Sequence, residues 1–302
     1  MDVVVFGAGS LGSLVGGMLA TRHDVTLVGR SPHVDAVRDD ALRLTGLLDL
    51  TVHPRAVTDL DLDRADLAVV TVKAYDTAEA ADALARCDLD VALSLSNGMG
   101  NEETLADRLS CPVLAGTTSY GARYREPGVV ACTGVGTVTL GPAPVSTDER
   151  DAAFDLARDV GRAFEVAGID AHVAPDMRPH LWEKLAVNAG VNPVTALARV
   201  ENGALADGPA RELAEGAALE VAGAARAAGV DLDDETARGA LGRVVEATAA
   251  NRSSMYQDLE AGRRTEVDAI SGYVVDHADG PVPVNRTLAT LVRTWESARG
   301  LR

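Results

Sequence analysis

An α/β domain built on a parallel sheet, followed by an all-helical domain, is the fold class this sequence predicts. Three observations predict it. The chain opens with an apolar, β-branched run that leads into a glycine-rich turn and a small-residue helix; further apolar runs of strand length recur through the first half; and strand signals nearly vanish after Met177, where alanine-rich helical periodicity takes over. A chain of 302 residues has length for two ordinary domains. The change of composition near Pro175 sets the expected boundary, with residues 1–175 in the first domain and 176–302 in the second.

Val3-Val4-Val5-Phe6 reads as a buried parallel strand. It runs directly into Gly7-Ala8-Gly9-Ser10-Leu11-Gly12, the G-x-G-x-x-G pattern of a dinucleotide-binding (Rossmann) turn. In that pattern the first glycine allows the tight turn, the second lets the backbone approach a pyrophosphate, and the third lets helix and strand pack closely. A helix over residues 14–20 and a second strand over 25–28 complete the βαβ spacing. A site for NAD usually ends that second strand with an acidic residue for the ribose 2′-hydroxyl, whereas Gly29-Arg30-Ser31 stands here. Arg30 can pair with a 2′-phosphate, so NADPH is the expected cofactor and NADH the second choice.

Strands over 67–72 and 91–95 follow, ending at Lys73 and at Ser96-Asn97-Gly98-Met99-Gly100. Open α/β sheets bind ligands at the carboxyl ends of their strands, so Lys73 can contact phosphate or ribose and Asn97 can reach the nicotinamide end. Val113–Thr118 and 137–141 read as further strands, parallel or antiparallel, with turn-rich sequence around Pro127-Gly128 between them. A helix from about Asp148 to Ala167 and a last strand over 171–173 close the domain.

The second half predicts helices over 178–200, 208–228, 233–250, 253–261, 265–278 and 285–298. The first of these carries Lys184, Asn188 and Asn192 at spacings of four, which puts an ammonium and two amides along one stripe of an otherwise apolar helix. Burial of such a stripe without partners costs several kcal/mol, so its other side should be polar, either protein or ligand. Of the 28 basic residues only Lys73 and Lys184 are lysine. Lysine can give up a proton when its pKa is tuned and arginine cannot, so Lys184 is a candidate for acid–base chemistry. Two further polar stretches, 251–258 and 262–268, bring Asn251, Ser254 and Glu266. Taken singly, Ser253 and Asp258 read as helix caps and Thr265-Glu266 as a helix start. Together with the stripe, they make a site of one ammonium, one carboxylate and several neutral donors.

The formal charge of −17 and a pI near 4.7 argue against nucleic acid and anionic membrane surfaces as partners. Acidic excess with so little lysine is similar to the surfaces of proteins from salt-accumulating halophiles. Cys87, Cys111 and Cys132 are odd in number and contain no CxxC pair, which fits a reduced, cytoplasmic protein without a zinc site. The uncharged stretch 3–20 lacks a basic leader and holds five glycines, so it reads as neither signal nor membrane span.

The motifs GAGSLG, VGR, VK at 72–73, SNGMGNEE at 96–103, WEKLAVNAGVNPVTAL at 182–197, and NRSSMYQD with GRRTEVDAISG at 251–272 occur in one order along the chain. In this the sequence resembles the ketopantoate reductase family over essentially its whole length. The resemblance implies a Rossmann domain, a helical domain like that of 6-phosphogluconate dehydrogenase, and NADPH in the cleft between them. It also implies reduction of 2-dehydropantoate to (R)-pantoate on the route to pantothenate and coenzyme A. By the same resemblance Lys184 matches the catalytic lysine and Glu266 the acidic residue beside the substrate, with further contact to the cofactor. Asn97, Asn188, Asn192, Asn251 and Ser254 match substrate-contacting positions, and Arg30, Lys73 and Asn97 match cofactor contacts. Two rival readings share the glycine turn: a reductase of a different 2-oxo acid, and a non-catalytic NADP(H)-binding sensor that has no use for Lys184, Glu266 and Ser254 together. A homodimer is compatible with the apolar helical half.

Overall fold

The computed structural model describes residues 1–144 and 150–302. They form two compact units, one of Met1–Ser96 with Gly100–Met177, the other of Asn97–Met99 with Arg178–Arg302.

In the first unit, β1 (Asp2–Phe6), α1 (Ser10–Leu19) and β2 (Asp24–Val28) form the expected βαβ unit, with β1 and β2 parallel and Val5 opposite Leu27. Beyond α2 (His33–Asp39) the chain makes β3 (Leu42–Gly46), β4 (Leu50–Val52) and β5 (Arg55–Val57), three short strands that the hydropathy pattern does not announce. The sheet then continues through β6 (Arg64–Val70), α3 (Thr77–Leu84), β7 (Asp88–Ser94), α4 (Asn101–Ala106) and β8 (Val113–Thr118). The turn-rich stretch around Pro127-Gly128 is a hairpin of β9 (Gly121–Glu126) and β10 (Val129–Gly134). β11 (Thr137–Pro142), α5 (Arg150–Val166) and β12 (Asp170–Val173) end the unit. The expected helix start near Asp148 falls outside the described residues.

The main sheet has the order β12-β11-β8-β7-β6-β1-β2-β5. All its pairs are parallel except β8 with β11, which resolves the alternative left open at 137–141 in favour of antiparallel. Its central strands are buried on both faces, which is why 67–70 and 91–94 read as continuous apolar runs. A second sheet, β4-β3-β10-β9, packs against α1. Its outer strands are short or largely exposed, β9 nearly throughout, so they lack the burial that gives a strand its apolar signature.

The second unit is helical: α6 (Arg178–Ala198), α7 (Gly208–Ala227), α8 (Asp234–Ala247), α9 (Ser254–Glu260), α10 (Tyr273–His277) and α11 (Pro283–Ser297). The alanines of α7 at 214, 217, 218, 222, 224 and 225 are buried, and this small-residue face allows α6 to approach closely. At Gly190 a Cβ would stand 2.8 Å from the Ala214 carbonyl oxygen. α11 starts at Pro283, and the backbone N–H groups of Val284 and Asn285 donate to the Glu220 carboxylate of α7, each at 2.8 Å. The single helix expected over 265–278 is instead a turn at 265–267, a π-helical segment Asp268–Gly272 and the short α10. No helix among the described residues is long and apolar enough to cross a membrane.

Candidate functional site

The glycine turn in the first unit has the geometry its sequence implies. Gly7 has φ +110°, and a Cβ there would stand 2.8 Å from the backbone of Thr71 and Val72. A Cβ on Gly12 would stand 2.2 Å from the Gly7 carbonyl oxygen, so this position admits glycine alone. Gly9 is different: its Cβ would meet nothing nearer than 3.9 Å, which leaves that face of the turn open. The first turn of α1 has no acidic residue and no side-chain cap, so its N–H groups at Ser10, Leu11 and Gly12 and its dipole suit a diphosphate. Ala8 N–H is already committed, to the Val28 carbonyl at 2.9 Å. The Ser10 hydroxyl accepts from the Tyr124 N–H at 3.0 Å, tying β9 to this turn.

The ends of β2 and β6 flank the same turn, because β1 lies between them in the sheet. Arg30, two residues past β2, is largely exposed, and its guanidinium donates to Asp76 at 3.0 Å. Asp76 comes from a 3₁₀ turn, Ala74–Asp76, directly after Lys73, and its N–H donates to the Lys73 carbonyl at 2.7 Å. Sequence reasoning missed Asp76, because its partner lies 46 residues away and only the strand order brings the two together.

His33 shows how the local fold is held. Its Nδ1 accepts from the Gly128 N–H at 3.0 Å, so Nε2 carries the proton and donates to the Ser13 hydroxyl at 2.8 Å. Burial lowers its pKa, in keeping with a neutral ring. Further along, Glu102 is buried in α4, and desolvation raises its pKa to about 7, against its own backbone N–H and the Ser94 hydroxyl, which lower it.

In the helical unit, α6 presents the stripe expected of it. Asn188 and Asn192 are buried and Lys184 is partly so. Burial lowers the Lys184 pKa. The Asn188 Nδ2 is buried with no hydrogen-bond partner among the described residues, which makes it a candidate donor to a ligand. Thr195, one turn on, donates to the Ser253 hydroxyl at 2.7 Å, which fastens the start of α9 to α6. Ser253 also caps α9 by accepting from the Tyr256 N–H, which is the capping role its sequence suggested. Ser254 beside it is partly exposed. Asn251 is held through its backbone, its carbonyl accepting from the Asn202 N–H at 2.9 Å.

Glu266 is buried within the turn that precedes the π-helical segment, which itself packs on α6. Its carbonyl accepts from the Ala269 and Ile270 N–H groups. The residues after Ser96 come to the same place: Met99 N–H donates to the Ala269 carbonyl at 3.0 Å. Gly98, at φ +87°, runs so close that a Cβ would stand 2.6 Å from Ala269. Asn97 and Glu266 therefore belong to one packed segment although 169 positions separate them in the chain. Beneath it lies a network the sequence did not signal. Glu296 of α11, fully buried, accepts from the Thr265 N–H and hydroxyl, each at 2.7 Å, and from Arg302 at 2.5 Å. Asp268 pairs with Arg264, Arg293 and Arg302.

The family profile described as "Ketopantoate reductase PanE/ApbA" matches residues 3–144, and the one described as "Ketopantoate reductase PanE/ApbA C terminal" matches 176–296. Among curated relatives, a 2-dehydropantoate 2-reductase of Halobacterium salinarum is 45% identical, the alignment covering 97% of this chain and 98% of that protein. A solved PanE/ApbA family ketopantoate reductase from Ralstonia eutropha JMP134 superposes with a TM-score of 0.87 at 32% identity, covering 99% of this chain and 100% of that one. D-mandelate dehydrogenase, solved with NADH and anilino(oxo)acetate, superposes with a TM-score of 0.91 at 22% identity over the full length of both chains, a likeness of fold. Two profiles that together span both structural units, and a relative this similar from end to end, place the chain in the ketopantoate reductase family.

Proposed function

We infer that this protein is an oxidoreductase that reduces the ketone of 2-dehydropantoate to the alcohol of (R)-pantoate, a step toward pantothenate and coenzyme A. The observation that carries the reading is the end-to-end likeness to enzymes named 2-dehydropantoate 2-reductase, at up to 45% identity. The polar stripe of α6 supplies the chemistry the reaction needs.

Bound at the glycine turn, a nicotinamide dinucleotide would supply the hydride. The fit rests on the open face at Gly9, the closed contacts at Gly7 and Gly12, and the uncapped start of α1. Arg30 supports NADPH as the preferred form, with Lys73 as a second cationic contact. Once hydride reaches the ketone carbon, the ketone oxygen carries negative charge and must be protonated. Lys184 is the proton donor: it is one of two lysines, and burial brings its pKa down toward the range in which general acids work best. Asn188 offers its Nδ2 to substrate oxygen, and Asn192, Asn251 and Ser254 add neutral donors for the carboxylate and hydroxyl. Asn97 orients the reacting carbonyl, and Glu266 accepts from the substrate's distal hydroxyl. Neutral donors suit an anionic substrate here, because the ammonium provides the positive charge and Glu266 the negative.

The test is oxidation of NADPH by the purified protein with 2-dehydropantoate in molar KCl, beside NADH and a panel of other 2-oxo acids. Turnover preferring 2-dehydropantoate is the expected result. Turnover of another 2-oxo acid alone would move the protein to a sister reaction, and a folded, NADPH-binding sample without turnover would remove the catalytic reading.

A further inference from the structure

Sites for NAD hold the ribose 2′-hydroxyl with a carboxylate at the end of the second strand, and this chain has Arg30 there. The structure nevertheless puts a carboxylate at that place from another direction. The Gly7 and Ala8 N–H groups both donate to the Val28 carbonyl, while Thr71 donates from its N–H to the Phe6 carbonyl and from its hydroxyl to the Gly7 carbonyl. The ends of β2 and β6 are thus pinned to opposite sides of the glycine turn. Arg30 follows the first and Asp76 the second, and they meet at 3.0 Å.

The two partners differ in freedom. The Arg30 side chain is 85% exposed and that of Asp76 24%, with the Asp76 backbone fixed to the Lys73 carbonyl. An exposed ion pair of this kind is weak, so Arg30 can leave it for a 2′-phosphate. Asp76, the less exposed of the two and set on its 3₁₀ turn, stays as a negative charge beside that phosphate. The same carboxylate is an acceptor suited to a ribose hydroxyl.

We propose that Asp76 is a specificity-determining residue for the cofactor: it lowers affinity for the 2′-phosphorylated dinucleotide, favours the 2′-hydroxyl form, and so narrows the preference for NADPH over NADH. The proposal rests on the reading of Arg30 as the 2′-phosphate contact. Asp76→Asn keeps the shape and an acceptor and removes the charge.

The experiment is calorimetric titration of NADPH and NADH into wild type, Asp76→Asn and Arg30→Ala, with the kcat/KM ratio for the two cofactors measured alongside. The salt should be the lowest at which the protein stays folded, since salt screens an exposed charge. Asp76→Asn should tighten NADPH about two- to fivefold and weaken NADH, raising the preference for NADPH, while Arg30→Ala should lower it. If Arg30→Ala collapses the preference and Asp76→Asn leaves it unchanged, Asp76 is only a surface partner of Arg30 and the proposal falls alone. If Arg30→Ala changes nothing, the 2′-phosphate reading of Arg30 falls and takes the proposal with it.

Discussion

Lys184 is where the proposed chemistry is most exposed to test at the scale of one residue. General acids contribute typically about 10²- to 10⁴-fold, so Lys184→Ala should lose roughly that in kcat while calorimetry shows NADPH still bound. The acid must be protonated to act, so kcat should fall as pH rises through the Lys184 pKa. Because burial lowers that pKa, the fall should come at lower pH than for an ordinary lysine. A pH profile that is unchanged in Lys184→Arg, whose guanidinium cannot serve as proton donor in this range, would remove the assignment. Glu102 offers a second residue-scale prediction, this time on stability. Its folded pKa of about 7 stands above the ordinary 4.5, so as pH rises the unfolded chain releases this proton first. Stability is therefore full below about pH 4.5, falls up to about pH 7 and is level above it. The displacement corresponds to roughly 3 kcal/mol, so Glu102→Gln should be more stable than wild type at pH 8 by up to that amount, with no difference at pH 4. Thermal unfolding at the two pH values reads this directly, and an equal difference at both would refute it.

At the scale of elements, the segment that carries Glu266 is held by α11. Thr265, immediately before Glu266, gives both its N–H and its hydroxyl to one buried oxygen of Glu296, and Val267 N–H donates to that same hydroxyl at 3.2 Å. A buried carboxylate is a costly way to gain stability, but it fixes geometry, because a misplaced turn leaves donors and a charge unpaired. Glu296→Ala should therefore cost roughly 3 kcal/mol in unfolding free energy and raise KM for the substrate. Glu296→Gln keeps an oxygen for Thr265 and should lose much less of both. Equal damage in the two variants would show that the Arg302 pair matters and the Thr265 contacts do not. The turn of 265–267 also explains why the expected single helix over 265–278 is broken: Thr265 gives its N–H and hydroxyl to a side chain, and Gly272 closes a π-helical bond to Val267 at 2.8 Å.

For the whole molecule, 45 acidic and 28 basic residues leave a charge of −17. Surface pairs such as Arg64 with Asp88 and Asp90 use up arginine without removing the excess. At about 0.1 M salt the Debye length is about 10 Å and the excess repels itself, whereas at about 1 M it is about 3 Å and each charge is screened from most others. The melting temperature should therefore rise from dilute buffer to molar KCl. A melting temperature that is the same in both would count against a halophile-like surface.

How much could be read in advance follows from where each signal lives. The strand, turn and helix of residues 3–20, the central strands and the order of helices were legible because burial on both faces, or along one helical stripe, leaves a local apolar pattern. The stripe of Lys184, Asn188 and Asn192 was legible for the same reason, since helical periodicity alone puts the three side by side. The second sheet was not, because its exposed, short strands carry no such pattern. Neither was the Arg30–Asp76 pair, the approach of Gly98 and Met99 to Ala269, or the tie from Thr265 to Glu296. Each joins residues far apart in the chain, and nothing local in the sequence encodes a partner that strand order and helix packing must deliver. Local pattern in the sequence was enough for the fold class and the family, and it named the residue types of a candidate site. Tertiary structure alone decided which charges and carbonyls meet, because those meetings depend on the order in which elements pack.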